Sequence, residues 1–213
     1  MKWSRALCNC VELAKTNGRF GEHPFPVAPD DVLSAYEFLL STGCAPDRMV
    51  LAGDSVVGAL VLAALVDIRN AGMPLPAAGV SISAWADLAL TGESMTTRAD
   101  RDAMHYPETL AMLASVYLNG ASARDPRASP VYADLAGLPP LLMLVGTEEV
   151  FYSDTVRLAA NARAAGVDVT LEVGEGMPHD YRLAAAVLPE GQRALERIGE
   201  FIQVRTPGGP PGR

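Results

Sequence analysis

The sequence predicts an α/β fold: a mainly parallel sheet, helices on both faces, and a helical insertion ahead of the third strand. Three observations carry this. Short apolar runs alternate with helix-length segments along most of the 213 residues. The runs Met49-Val-Leu-Ala52 and Leu141-Leu-Met-Leu-Val145 lack polar alternation, as strands covered on both faces require. From Trp85 to Pro130 the rhythm stops, and a stretch that long is not expected as bare loop.

Taken in order, the spacing of Val32, Leu33, Tyr36, Leu39 and Leu40 predicts a helix over 31–42, with Asp30 as N-cap and Gly43 past its end. Met49 to Ala52 is the first strand. Val56 to about Asn70 is a buried helix ending at Gly72, and Val80 to Ser83 the second strand. Within the insertion, placed at about 86–130, the best helix runs from about Glu108 to Leu118. Leu141 to Val145 is the third strand. A helix from about Asp154 to Ala165 follows, stopped by Gly166, and the fourth strand is Val167 to Val173. The last helix covers roughly Glu190 to Val204. Residues 206–213, rich in Gly and Pro, form a tail that can hold neither helix nor strand.

Composition narrows the function. Apolar residues make up 49% and charged residues 20%, which supplies a core and excludes intrinsic disorder. A net charge of −8 repels phosphate backbones and anionic lipid, so neither nucleic acid nor membrane is an expected partner. The apolar run from Val56 to Val66 is too short to span a bilayer. Lys2 and Arg5 lead into Cys8, Cys10 and Glu12 without the apolar region of a secretory signal, so a cytoplasmic location is expected. Those two cysteines and Cys44 read as reduced thiols. No metal or cofactor is expected, because His23 lacks a second ligand at suitable spacing.

The chemistry concentrates at three strand ends. Strand one runs into Gly53-Asp54-Ser55 and a helix begins at once. Such a turn pushes the Ser55 hydroxyl out of the sheet and aims the Val56 N–H at the same spot, an exposed nucleophile beside an oxyanion donor. An N-cap serine would look the same in isolation. A weak hydroxyl also needs a base, and the base a carboxylate to fix its tautomer. Of the three histidines His23, His105 and His179, only His179 follows a strand directly, in Gly176-Met-Pro-His-Asp180. The end of strand three supplies Glu148 and Glu149 at the same carboxyl edge, where α/β active sites gather.

The order Ser55, Glu149, His179 is that of the α/β-hydrolases. The chain resembles their bacterial hormone-sensitive-lipase-like members, esterases and lactone hydrolases that use a serine nucleophile. The resemblance runs from about residue 22 to 203. It rests on Glu22-His-Pro-Phe-Pro26, Ala52-Gly-Asp-Ser55 with Gly58, Gly92-Glu-Ser-Met95 and Ala128-Ser-Pro-Val-Tyr-Ala-Asp-Leu135. Leu138-Pro-Pro140, Val145-Gly-Thr-Glu-Glu-Val150 and Glu175-Gly-Met-Pro-His179 complete it. It implies Ser55 as nucleophile, His179 as base and Glu149 as the triad acid, with Glu148 the neighbouring alternative. Asp154 is expected to cap its helix or brace a loop, His23 to be structural, and His105 stays unassigned.

Two departures stand out. The family's Gly-Asp-Ser-Ala-Gly-Gly reads Gly53-Asp54-Ser55-Val56-Val57-Gly58 here, and Val57 in place of glycine should open or strain the turn. The family's His-Gly-Gly-Gly oxyanion loop is absent, leaving the Val56 N–H as the one identifiable donor. The 213 residues therefore match the C-terminal two-thirds of a larger hydrolase, a single incomplete domain. Its first strand would lie on the sheet edge, and an open edge predicts pairing with a second copy. An alternative follows: an inactive remnant serving in binding or assembly.

Overall fold

The computed structural model describes residues 23–206. The tail from 207 and the N-terminal segment with Cys8 and Cys10 lie outside the described residues. Its elements are α1 (Val27–Ser41), β1 (Val50–Asp54), α2 (Ser55–Asn70), β2 (Ala78–Ile82), the short α3 (Ser94–Thr97) and α4 (Pro107–Leu118). Next come β3 (Leu141–Gly146), α5 (Tyr152–Ala164), β4 (Val169–Gly174) and α6 (Pro189–Arg205). Short 3-10 turns lie at Pro46–Arg48, Pro130–Tyr132 and Tyr181–Ala184.

The four strands form one parallel sheet in the order β1-β2-β3-β4. Alternation within β3 divides the core. Leu141 and Met143 pack with Leu62 and Leu65 of α2 and Leu158 of α5 on one face. Leu142 and Leu144 pack with Val80, Ile82 and Ile198 of α6 on the other. Both faces of β2 and β3 are thus dry, and every residue of those strands is buried, which is why they read as unbroken apolar runs. β1 differs: it is an edge among the described residues, with Ala52 exposed.

Between β2 and β3 a third cluster gathers Trp85, Leu88 and Met95 with Leu110, Ala114 and Leu118 of α4, against Val150 and Phe151. Helices α3 and α4 therefore sit over the carboxyl end of β3.

Most boundaries shift from the sequence reading by one or two residues, and the largest departure is at the start of α1. Helix α1 begins at Val27, four residues earlier than expected, so Asp30 is in its first turn and not at its N-cap. Pro29 lies in the same turn. In the first turn its missing N–H costs nothing, because that N–H would have no intrahelical acceptor. Asp30 instead pairs with Arg127 at 2.5 Å, and Arg127 also holds Asp67 of α2 at 2.8 Å. Gly43, Gly72 and Gly166 follow α1, α2 and α5 at φ of 87°, 68° and 83°, each in the left-handed conformation that stops a helix.

Candidate active site

The carboxyl edge of the sheet is where the backbone is least relaxed. Ser55 after β1, Ser83 after β2 and Asp180 after β4 hold φ of 53°, 48° and 52°. Each such non-glycine residue costs on the order of 1–3 kcal/mol and persists only where the surroundings impose it.

At Ser55 the imposition is steric. A Cβ on Gly53 would lie 2.6 Å from the Val57 carbonyl oxygen, and one on Gly58 would lie 2.9 Å from that of Ile82. Helix α2 thus starts hard against β1 and β2, and only glycine fits at both positions. Val57 does not open this turn. Its side chain is 49% exposed, and the bare Cα of Gly53 leaves room for its methyl. Val56, next in α2, has an N–H in the first turn, without an intrahelical acceptor.

Across the sheet edge, Glu149 is fully buried and uses both carboxylate oxygens. Oε1 accepts the Ser83 hydroxyl at 2.8 Å and the Gly146 N–H at 2.5 Å. Oε2 lies 2.9 Å from Nδ1 of His179, itself only 7% exposed. Glu148 turns away, 3.2 Å from the Thr147 hydroxyl and 3.7 Å from Arg101. Of the two neighbouring glutamates, the structure joins Glu149 to the histidine.

Burial opposes charge on His179. The Glu149 hydrogen bond and the negative fields of Glu149, Asp180 and Asp102 outweigh it and raise its pKa above 6.5. Asp180 is raised as well, by burial first, and by Glu149 against the lowering effect of His179.

The third link of a triad is not closed. His179 Nε2 stands 3.4 Å from Asp180 Oδ2, and among the described residues no hydrogen bond joins it to Ser55. Asp180 is tied to Arg182 at 3.7 Å, and Arg182 pairs with Asp54 beside the nucleophile turn. Asp154 braces a loop, as one of its two expected roles had it: Oδ2 accepts the Ala86 and Asp87 N–H groups, each at 3.0 Å. Its other oxygen is buried without a partner, and burial followed by the charge of Asp87 pushes its pKa up to about 8.

His105, unassigned by sequence, lies at the site. Its ring centroid is 4.4 Å from that of His179 and 4.7 Å from that of Phe151. His23 is exposed on the bend before α1. Sequence reasoning also missed Ser83, Asp102 and Asp180. Only Asp180, beside His179 in the chain, carried a signal that could have found it. Among the described residues no cluster of His, Cys, Asp and Glu suits a metal ion, and no helix is long and apolar enough to cross a membrane.

An edge of strained strand ends, a serine opening a helix and a buried glutamate–histidine pair is the architecture of one fold family. Residues 19–183 match the family model described as the alpha/beta hydrolase fold. The chain belongs to the α/β-hydrolases. A crystal structure of an esterase from the bacterial hormone-sensitive lipase family superimposes with a TM-score of 0.86 at 48% identity, over 87% of this chain and 63% of that one. The structure of EstE5 soaked with p-nitrophenyl butyrate gives 0.84 at 46% identity, over 86% of this chain and 62% of that one. An acetyl-hydrolase of Streptomyces hygroscopicus is 48% identical over 87% of this chain and 62% of its own length. This chain is a hormone-sensitive-lipase-like α/β-hydrolase, and it spans about 62% of the length of that relative.

Proposed function

We propose that the chain carries the catalytic residues of a serine hydrolase acting on carboxylic esters or lactones, and that Ser55, His179 and Glu149 are its triad. The observation that supports this most is the buried 2.9 Å pair of Glu149 and His179 Nδ1 at the same sheet edge as the strained Ser55 turn. Glu149 holds the imidazole with Nε2 free to accept a proton. Ser55 Oγ attacks the ester carbonyl while its proton passes to His179 Nε2. The oxyanion receives the Val56 N–H. Collapse expels the alcohol, protonated by His179, and leaves Ser55 acylated. Water, deprotonated by His179, then releases the acid and restores Ser55. The first step needs the Ser55 hydroxyl within hydrogen-bond reach of His179 Nε2, a contact that often tightens only in the substrate complex.

The insertion at 86–130 is read as a cap over this site, within one domain. A small-molecule ester is the expected partner, with no nucleic acid, and the acidic chain is read as cytoplasmic. Its activity is tested by release of p-nitrophenolate from p-nitrophenyl acetate or butyrate. Turnover that disappears in Ser55→Ala supports the reading, and none from well-folded protein overturns it.

A second reading has its own observation. The Ser55–His179 link is open, and β1 is an edge among the described residues. An impaired hydrolase that assembles through this edge would show no turnover, together with a concentration-dependent mass in solution.

A further inference from the structure

Asp180 stands against the base on the side that the hydrolytic scheme needs open. Glu149 Oε2 lies 2.9 Å from Nδ1 of His179, and Asp180 Oδ2 lies 3.4 Å from Nε2. Neither a bare imidazole nitrogen nor a carboxylate can donate, so the second contact is attractive only with a proton between its two atoms. The backbone keeps Asp180 in this place. Its φ of 52° is left-handed, and its N–H donates to the Ser83 hydroxyl at 3.3 Å, which itself donates to Glu149 Oε1. One serine thus ties down both acidic residues. Asp180 Oδ1 is buried without a hydrogen bond among the described residues, and Arg182, 3.7 Å away, is paired with Asp54. The imidazole is the nearest partner this carboxylate has.

Nothing in the hydrolytic scheme uses this second carboxylate. We propose that Asp180 is a positioning residue for the base: it holds the Nε2 proton of His179, so that the imidazolium is bracketed by two carboxylates and yields Nε2 to Ser55 only once that proton is gone. Glu149 and Asp180 face His179 directly, Asp102 acts on it from the insertion, and the His105 ring stands edge to face at 4.4 Å. Arg182 faces Asp180 from the turn that follows. Burial disfavours charge on His179, yet Glu149, Asp180 and Asp102 together raise it above 6.5. Burial, with Glu149, raises Asp180 above 3.8 against the fields of His179 and His105. The bracket is therefore complete between those two folded values and opens as pH rises through that of His179. The inference deepens the assignment of His179 as the base and rests on it.

Two substitutions test it. Asp180→Asn keeps the shape and removes the charge, and Asp180→Gly removes the side chain while suiting the left-handed backbone. Proton NMR of the three histidines, each assigned by single substitution, should show His179 titrating about one unit lower in both variants. Below its midpoint the intact protein should show two protected N–H resonances on the His179 ring. In Asp180→Gly the Nε2–H should be lost to solvent exchange while the Nδ1–H, held by Glu149, remains. That readout separates the contact from the field of a nearby charge. The acid limb of kcat/KM should move down with the His179 midpoint. If one variant fails to fold, the other carries the titration. A His179 midpoint unmoved or raised in the folded variants, or an Nε2–H equally protected without the Asp180 side chain, overturns the proposal. The resonances need no turnover. An inactive protein whose His179 responds in this way would therefore sink the esterase reading alone, and an active one whose His179 does not respond would sink this inference alone.

Discussion

The two halves of the candidate site are built to different standards. On the β3–β4 side, Glu149 and His179 are buried, the carboxylate has three partners, and crossing loops leave no slack: a Cβ on Gly146 would sit 2.1 Å from the Met177 carbonyl oxygen. On the β1 side, Ser55 is half-buried at an edge strand, and Val56 and Val57 beside it are 50% and 49% exposed. The base is therefore part of the core, and the nucleophile is carried on it. Damage to the first should cost stability and rate together. Damage to the second should cost rate alone.

The largest effect expected is on that split. Ser55→Ala should lower ester turnover by on the order of 10⁴-fold or more, with no change in the urea midpoint, since alanine at φ 53° is as strained as serine. A midpoint lowered along with the rate would place Ser55 in the core and break the comparison.

Glu149→Ala should do both. It orphans the Ser83 hydroxyl, the Gly146 N–H and His179 Nδ1, and loss of one partner from a buried pair costs about 3 kcal/mol. Urea unfolding reads the stability, and turnover of the remaining folded protein should fall about 10³- to 10⁴-fold.

What the sequence disclosed follows the same division. The four strands were legible because buried parallel strands are continuous apolar runs, and Ser55, Glu149 and His179 because each lies just past such a run. Ser83 was invisible: a lone serine whose partners, Glu149 and Asp180, stand 66 and 97 residues further along. Asp102 and His105 depend on how the insertion folds back onto Val150 and Phe151, which no local spacing encodes. The start of α1 was misplaced because Asp30 reads locally as an N-cap, whereas it lies in the first turn and its carboxylate pairs with Arg127, 97 residues further along.

Titration sharpens the contrast further. The pKa of His179 is raised on folding, so its contribution to stability is present below 6.5 and lost as pH rises through the higher folded value. Catalysis needs the neutral ring, so kcat/KM should climb through that same folded value, above 6.5, while stability declines. Asp154, pushed up to about 8, adds a second loss of stability between its unfolded value near 3.8 and about pH 8. In Asp154→Asn that decline should flatten in thermal melts from pH 5 to 9, with the rate profile unmoved.

The smallest effect is a gain. Ser55→Gly relieves the left-handed backbone, and the folded state should be about 1 kcal/mol more stable by urea unfolding, in a protein that no longer turns over.

The claim that these unequal halves form one catalytic unit is tested most directly by trapping the acyl-enzyme. Intact protein mixed with p-nitrophenyl butyrate and acid-quenched within milliseconds should carry one butyryl group, located on Ser55 by peptide mass spectrometry. The adduct should be missing from Ser55→Ala and strongly reduced in His179→Ala. Turnover by folded protein with no adduct on Ser55, or an adduct that forms equally well without His179, would contradict the account.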